Sequence, residues 1–304
     1  MKTRRFLLLF SALLIAGSPL LSSAATQKLK VTTTTSMVTD LVKSIGGDRV
    51  DVQGLMGPGV DPHLYKASQA DVNKLIQAKV IFYNGLLLEG KMQELFNKMS
   101  RTRKVYALAD ALPKARLLSP PEFEGHHDPH IWFDVQIWAM CIDVVVKGLS
   151  QADPEGKAYY EKRGNDLRKQ MEELHQWALK KVSELPPAKR ILITSHDAFN
   201  YFGRAYGFQV VGLQGISTVT EVSIADMAKM ADFIKAKKVK AIFVESSVPH
   251  NTIERVSKDA GVKVGGEIFS DAMGTPGEME NGYDLGTYEG MVKHNVNTIV
   301  NALK

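Results

Sequence analysis

A long segment in the middle of the chain constrains the fold more than any other sequence feature. Within residues 153–185, the part that follows Gly164 contains no proline and no turn signal. Apolar side chains recur there at helical spacing, namely Tyr160, Leu167, Met171, Leu174, Ala178, Val182 and Leu185. At about 1.5 Å per residue, one helix over residues 153–185 would exceed roughly 40 Å. Pro186 and Pro187 end it, because proline cannot continue a helix.

The segments on either side of this helix alternate between strand and helix patterns. Strands are predicted at 28–34, 50–55, 80–84, 104–108, 190–194, 208–213, 239–244 and 263–268. Helices are predicted at 37–45, 67–78, 91–99, 134–149 and 288–303, and between the later strands. Such alternation favours parallel sheets covered by helices. We therefore predict an α/β fold with two α/β lobes and parallel sheets, joined by one long rigid helix. The predicted lobes are 25–152 and 187–304, with the linking helix at 153–186.

The N-terminal residues differ in kind from the rest. Lys2, Arg4 and Arg5 are positive, residues 6–17 are apolar, and residues 22–24 are small. The apolar stretch is shorter than the ~20 residues that a membrane span needs. This pattern predicts a secretory signal over residues 1–24 that is cleaved after Ala24, and hence a periplasmic protein. No cysteine stands at the cleavage point, so we expect a soluble protein without a lipid anchor there.

Removal of the signal changes the charge balance. The formal net charge of the whole chain is +5, and the mature chain keeps 35 basic and 33 acidic residues, which leaves +2. A charge this small gives no reason to expect nucleic acid as a partner. The single cysteine, Cys141, lies in an apolar stretch, which predicts a buried thiol.

Three histidines and one aspartate lie where metal ligands are expected. His63 follows a Gly/Pro loop after the second strand, His196 and Asp271 lie just past predicted strands, and His130 lies in Asp128-Pro129-His130. Ligands of open α/β sheets bind beyond the carboxyl ends of strands, so these side chains are expected to converge in the interlobe cleft. Imidazoles and one carboxylate suit a small divalent transition metal. The spacings of 67, 66 and 75 residues form no compact motif, so loop histidines that only hydrogen-bond locally remain the alternative.

Several segments, in order along nearly the whole mature chain, resemble one protein family. They are Thr32–Met37, Val60–Tyr65, Asn84–Glu89, Asp128–Trp132, Thr194–Phe199 and Gly215–Thr218. Together they are similar to the TroA-like zinc- or manganese-binding solute-binding proteins of ABC importers. The resemblance implies two lobes bridged by a rigid helix, a bound Zn²⁺ or Mn²⁺ as transported ligand, and an ABC permease as partner. It implies that the four ligands are His63, His130, His196 and Asp271.

The resemblance leaves the choice of metal open. Manganese- and iron-directed relatives often have glutamate as the third ligand, where this chain has His196. Zinc-directed periplasmic relatives often carry a long loop rich in His and Asp before the second ligand. Here that loop contains only His126 and His127, which are expected to be solvated or to recruit metal transiently.

Other residues have lesser roles in this interpretation. Glu245 follows a predicted strand and is a candidate to hydrogen-bond a ligand imidazole. His175 is expected at the surface of the long helix, and His250 and His294 show no evident partner in the sequence. The three tryptophans are expected in the core or between the lobes.

Three function classes are compared. A monomeric binding protein without catalysis fits four protein ligands, which leave little room for a reactive water. A zinc hydrolase would need an open position, and the sequence has no His-Glu-x-x-His helix and no Gly-x-Ser-x-Gly elbow. A surface adhesin, a role attributed to some members of the family, is disfavoured by the missing lipid-attachment cysteine. The sequence therefore predicts a metal-binding transport protein that is not an enzyme.

Overall fold

A computed structural model describes residues 27–304, so the predicted signal over residues 1–24 lies outside the described residues. The strands are β1 Leu29–Thr33, β2 Val50–Gly54, β3 Val80–Tyr83, β4 Lys104–Ala107, β5 Ile191–His196, β6 Gln209–Gln214, β7 Ala241–Glu245, β8 Lys263–Ile268, β9 Met279–Glu280 and β10 Tyr283–Asp284. The α helices are α1 Ser36–Gly46, α2 Gln69–Gln77, α3 Gln93–Met99, α4 Val135–Ala152, α5 Lys157–Val182, α6 Asn200–Tyr206, α7 Ile224–Lys237, α8 Asn251–Ala260 and α9 Tyr288–Leu303. Two α/β lobes flank the long helix α5, as predicted.

The first lobe contains a four-stranded parallel sheet in the order β2-β1-β3-β4. All carboxyl ends therefore lie at one edge of the sheet. Local sequence sets several helix starts, for example at Ser68, whose side chain accepts from the Asp71 backbone while the Asp71 carboxylate accepts from the Ser68 backbone. This reciprocal capping box fixes the start of α2.

The second lobe is built from the parallel pairs β5–β6 and β7–β8, and β5 lies next to β7. An additional antiparallel hairpin joins β9 to β10. Its turn residues Asn281 and Gly282 both have positive φ, at 48° and 86°. The periodicity of the strands did not predict this hairpin, although Asn-Gly is a strong hairpin signal.

Helix α5 is shorter than the sequence predicts. It has 26 residues, which corresponds to about 39 Å. Asp153 adopts a non-helical conformation and its side chain accepts the Gly156 N–H, so residues Pro154–Gly156 form a 3-10 turn instead of helix. At the other end, the proline after Leu185 disfavours helical geometry in the preceding residue.

One hydrophobic core runs through both lobes. Helix α5 packs against α1 and α4 of the first lobe and against α9 of the second. Met37, Trp138, Met171 and Met291, from these four helices, belong to a single buried cluster. Two smaller clusters lie under the outer sides of the lobes. Because the lobes share their main core, large hinge motions between them would expose much apolar surface.

The structure confirms one sequence expectation inside this core and corrects another. Cys141 is a buried free thiol, as predicted. His175 was expected at the surface of α5 but is 7% exposed and lies 3.4 Å from the Tyr206 hydroxyl. Helical spacing does not reveal that α6 covers this face of α5. None of the helices within residues 27–304 is both long and apolar enough to cross a membrane.

Candidate metal centre

The four predicted ligands converge at one buried point between the lobes. One potential ligand atom from each of His63, His130, His196 and Asp271 lies within 4.8 Å of the others. Carboxylate oxygens of Asp271 lie 3.6 Å from His63 Nε2, 3.5 Å from His130 Nε2 and 3.4 Å from His196 Nε2. The four side chains are 0–5% exposed. From the sequence, His196 and Asp271 were expected just past strands, His63 in the loop after the second strand and His130 in Asp128-Pro129-His130, and the fold brings all four together.

Each lobe contributes two of the four side chains. His63 lies in the loop after β2, and His130 precedes a 3-10 turn at Ile131–Phe133. His196 is the last residue of β5, and Asp271 follows the end of β8. The centre therefore forms only when the two lobes are in contact.

Two identical tripeptides position the first-lobe histidines. In Asp61-Pro62-His63 and Asp128-Pro129-His130, the aspartate Oδ1 accepts the backbone N–H of the histidine, at 2.8 Å and 3.0 Å. The proline between them restricts the turn. Neither aspartate was predicted to have a role, although the repeated Asp-Pro-His tripeptide is a local sequence signal for one.

Asp128 also orients the ring of His130. Its Oδ1 accepts the Nδ1 hydrogen of His130 at 2.7 Å, so Nε2 is left with a lone pair directed at the centre. Asp128 is itself held from the second lobe, because Asn200 Nδ2 donates to its Oδ2 at 3.1 Å and the Tyr201 hydroxyl donates to its carbonyl at 3.0 Å.

Glu245 holds His196 in the same way. Its Oε1 accepts the His196 backbone N–H at 2.8 Å, and its Oε2 accepts the Nδ1 hydrogen of the ring. Glu245 ends β7, beside β5, so the two strand ends place these side chains in contact. The ring consequently presents Nε2 to the centre, as the ring of His130 does.

The segment Asn84–Glu89 holds the turn that contains His130 through hydrogen bonds. Asn84 Nδ2 donates to the Pro129 carbonyl at 3.0 Å, directly before the ligand. Glu89 is buried and accepts from the Thr34 hydroxyl at 2.7 Å and from the Asn84 N–H at 2.8 Å. These bonds connect three of the segments that carry the family resemblance.

Burial and mutual charge give the ligands unequal proton affinities. Burial lowers the pKa of His63 to about 3, and the neighbouring imidazoles add to this effect. Burial also opposes protonation of His196, but the carboxylates of Glu245 and Asp271 outweigh it and raise the His196 pKa well above its ordinary value. Burial disfavours the Asp271 carboxylate, yet the facing imidazoles hold its pKa well below the usual range. The centre thus combines an ionised carboxylate with a readily protonated imidazole.

Direct hydrogen bonds join the lobes around the centre. Thr218 Oγ1 of the second lobe donates to Asp61 Oδ2 at 2.6 Å. The backbone N–H of Met273 donates to Ser36 Oγ at 2.9 Å. A cavity of about 510 Å³ is lined partly by Asp61 and Thr218, and also by Leu64 and Ser195, which adjoin His63 and His196 in the sequence.

The other histidines lie outside the cluster. His126 is exposed, with its ring tilted against that of Phe123, and His127 is half-buried with Nδ1 2.8 Å from the Ser119 hydroxyl. His250 and His294 do have partners, contrary to the sequence expectation. His250 Nε2 donates to the Glu245 carbonyl at 3.0 Å. His294 bonds to both carboxylate oxygens of Glu280 at 3.1 Å, a contact that depends on the unpredicted β9–β10 hairpin.

Comparison with known proteins identifies the family. The family model described as zinc-uptake complex component A, periplasmic (ZnuA), matches residues 31–302. The chain belongs to the ZnuA family. Among its named relatives, the manganese-binding lipoprotein MntA of Bacillus subtilis is 43% identical, over 96% of this chain and 95% of MntA. The zinc-binding protein TroA of Treponema pallidum is 45% identical, over 92% of this chain and 91% of TroA.

Solved structures of ZnuA-like proteins share the two-lobed fold. The periplasmic zinc-binding protein TroA from Treponema pallidum superposes with a TM-score of 0.86 at 44% identity, covering 91% of this chain and 99% of that chain. The Fe(III)-bound YtgA from Chlamydia trachomatis superposes with a TM-score of 0.79 at 27% identity, covering 91% and 98% of the two chains. The family and its fold, predicted from the six sequence segments, are both confirmed.

Proposed function

We propose that this ZnuA-family protein captures a divalent transition metal, zinc or manganese, outside the cytoplasm and delivers it to the permease of an ABC importer. The observation that carries the proposal is the convergence of three imidazoles and one carboxylate, two from each lobe, at one buried point. The metal is the cargo, and His63, His130, His196 and Asp271 are its ligands.

The donor set favours holding an ion over reacting with it. Four protein ligands complete a tetrahedral zinc site, whereas hydrolytic zinc sites keep one position for water. The relatives support the same reading, because MntA and TroA are named as metal-binding proteins and PsaA of Streptococcus pneumoniae as a manganese ABC transporter substrate-binding lipoprotein. The hydrolase and adhesin alternatives gain no support from these relatives.

The proposal extends to location and assembly. Several relatives are named lipoproteins, such as MntA and SloC. For this chain we propose a soluble periplasmic protein, released after Ala24 and acting as a monomer. The support is the short apolar stretch of the signal and the lack of a cysteine at its end.

Titration with both metals tests the proposal. We expect one ion per chain, with zinc bound more tightly than manganese, because imidazole-rich sites follow the Irving–Williams order.

Changing His196→Glu should shift the preference toward manganese, since a harder oxygen replaces a nitrogen. Because Glu245 touches His196, the paired variant His196→Glu with Glu245→Gln avoids placing two carboxylates in contact. Competition titrations of wild type, the single variant His196→Glu and the paired variant measure the ratio, with Glu245→Gln as control. No bound ion in wild type contradicts the function, and an unchanged ratio contradicts control of selectivity by residue 196.

Metal uptake is expected to release a proton from His196. Burial opposes protonation, but the carboxylates of Glu245 and Asp271 raise the pKa of this residue well above its ordinary value, so we expect the metal-free protein to carry the proton at neutral pH. His63, with its pKa lowered to about 3, is already neutral there. The ion needs the Nε2 lone pair of His196, so affinity should fall about tenfold per pH unit below the His196 pKa.

Calorimetry at pH 7 in buffers of different ionisation enthalpy counts the protons. The expected value is close to one proton from His196 per ion bound. The variant His126→Ala, changed at an exposed loop histidine, should release the same number. Uptake without proton release would show that the two carboxylates do not keep His196 charged.

A further inference from the structure

The Asp271 carboxylate is positioned differently from the imidazole ligands. His130 and His196 are each held by a carboxylate behind the ring. Among the described residues, neither oxygen of Asp271 has a hydrogen-bond donor, and its nearest polar neighbours are the imidazole nitrogens at 3.4–3.6 Å. The backbone of the segment that carries Asp271 must therefore set the direction of its carboxylate.

Contacts from both lobes hold that segment. On the second-lobe side, Asn295 accepts the Phe269 N–H at 2.9 Å and donates to the Phe269 carbonyl at 2.7 Å. On the first-lobe side, Trp132 Nε1 donates to the Ser270 carbonyl at 3.0 Å. This carbonyl belongs to the residue directly before Asp271, so the indole bond acts next to the ligand.

Trp132 is itself fixed at the centre. Its side chain is fully buried, and its ring centroid lies 5.3 Å from that of His130, two residues earlier. The Tyr288 hydroxyl, at the start of α9, donates to the Trp132 carbonyl at 2.6 Å. One residue thus contacts a first-lobe ligand through its ring and a second-lobe ligand segment through its N–H.

We propose that Trp132 is a positioning residue of the metal centre, whose indole N–H fixes the Ser270 carbonyl and thereby aims the Asp271 carboxylate at the first-lobe histidines. The proposal rests on the proposed function, because it concerns how the cargo is held. Changing Trp132→Phe keeps an aromatic ring at this position, but it removes the N–H and some volume and so frees the carboxylate segment on one side. Groups that orient metal ligands typically contribute 10–100-fold to affinity, so the effect should appear in metal release.

A second tryptophan provides a matched control. Trp138 lies six residues further along, in the first turns of α4, and is as fully buried as Trp132. Its Nε1 has no hydrogen-bond partner among the described residues. Changing Trp138→Phe therefore removes an equal volume and an equal N–H without breaking a bond, whereas Trp132→Phe breaks one.

The experiment measures zinc release from the full-length mature protein into excess chelator by stopped flow. Melting of the metal-free forms is recorded in parallel. We expect release from Trp132→Phe to be about tenfold faster than from wild type, and release from Trp138→Phe to match wild type. Tyr288→Phe, which frees the Trp132 carbonyl, should accelerate release by about threefold, since it acts one bond further from the ligand. If Trp132→Phe does not fold, Tyr288→Phe decides alone.

The outcomes separate this proposal from the function on which it rests. A wild-type rate in Trp132→Phe overturns the positioning role while zinc binding by wild type stands. Equal acceleration in the Trp132→Phe and Trp138→Phe variants also overturns it, because loss of packing then explains both. If Trp132→Phe does not fold, a wild-type rate in Tyr288→Phe overturns it as well. Failure of wild type to bind zinc overturns both proposals.

Discussion

Alanine at any one of the four ligand positions is expected to weaken zinc binding by more than about a hundredfold, because groups that only orient ligands already contribute 10–100-fold. The variants are His63→Ala, His130→Ala, His196→Ala and Asp271→Ala. Each side chain is buried and supplies one of four donors, so no solvent-exposed group can take its place. Competition against a chelating dye measures the loss.

The controls for these variants are two histidines that lie outside the cluster. His126→Ala removes an exposed imidazole from the loop that leads to His130, and it should bind zinc as wild type does. His294→Ala should also keep its affinity, because that ring bonds to Glu280 instead of the centre. His175 is a poor control, since its burial means that alanine would leave a cavity. Wild-type affinity in His196→Ala would refute the ligand assignment.

Zinc is expected to raise the melting temperature of the protein strongly. The ion binds the folded interlobe site, whereas the unfolded chain has no preformed arrangement of ligands 67, 66 and 75 residues apart. At a thousandfold excess over the dissociation constant the gain is about 4 kcal/mol, which corresponds to a shift on the order of 10 °C for a protein of this size.

Calorimetric scans with zinc and with chelator measure this shift. The shift should shrink between pH 7 and pH 5, because the rising proton concentration competes more strongly with zinc for His196, whose pKa the neighbouring carboxylates raise. At the same zinc concentration, His130→Ala should show a much smaller shift than wild type, because its weaker binding leaves less excess of zinc over the dissociation constant. A wild-type protein whose melting is unaffected by zinc at pH 7 would contradict an interlobe metal site.

Local sequence pattern was sufficient to predict the architecture. Strand and helix alternation led to parallel sheets, and the rule that ligands lie beyond the carboxyl ends of strands selected His196 and Asp271. The residue at which the long helix begins was less predictable. Asp153 and Gly156 form a 3-10 turn through a side-chain bond, and this bond competes with helical hydrogen bonding in a way that apolar periodicity does not record.

Partners that are distant in sequence were not predictable from local pattern. The hydrogen bond from Trp132 to Ser270 joins residues that are 138 positions apart. No local sequence pattern links its donor to its acceptor. The covering of His175 by Tyr206 likewise depends on how α6 packs. By contrast, the Asp-Pro-His repeat at His63 and His130 is a local pattern with a local bond, and it was available in the sequence.

The complete burial of the four ligands has a consequence for timing. An ion bound by these four side chains would have no hydration shell, and the side chains are 0–5% exposed. Water therefore cannot replace the ligands one by one while the site stays closed. Because the two lobes share their main core, departure requires a ligand-bearing segment to move locally instead of a wide separation of the lobes. The rate of import is then governed by how often the permease displaces such a segment in the metal-loaded protein. Between these encounters the protein releases its ion slowly.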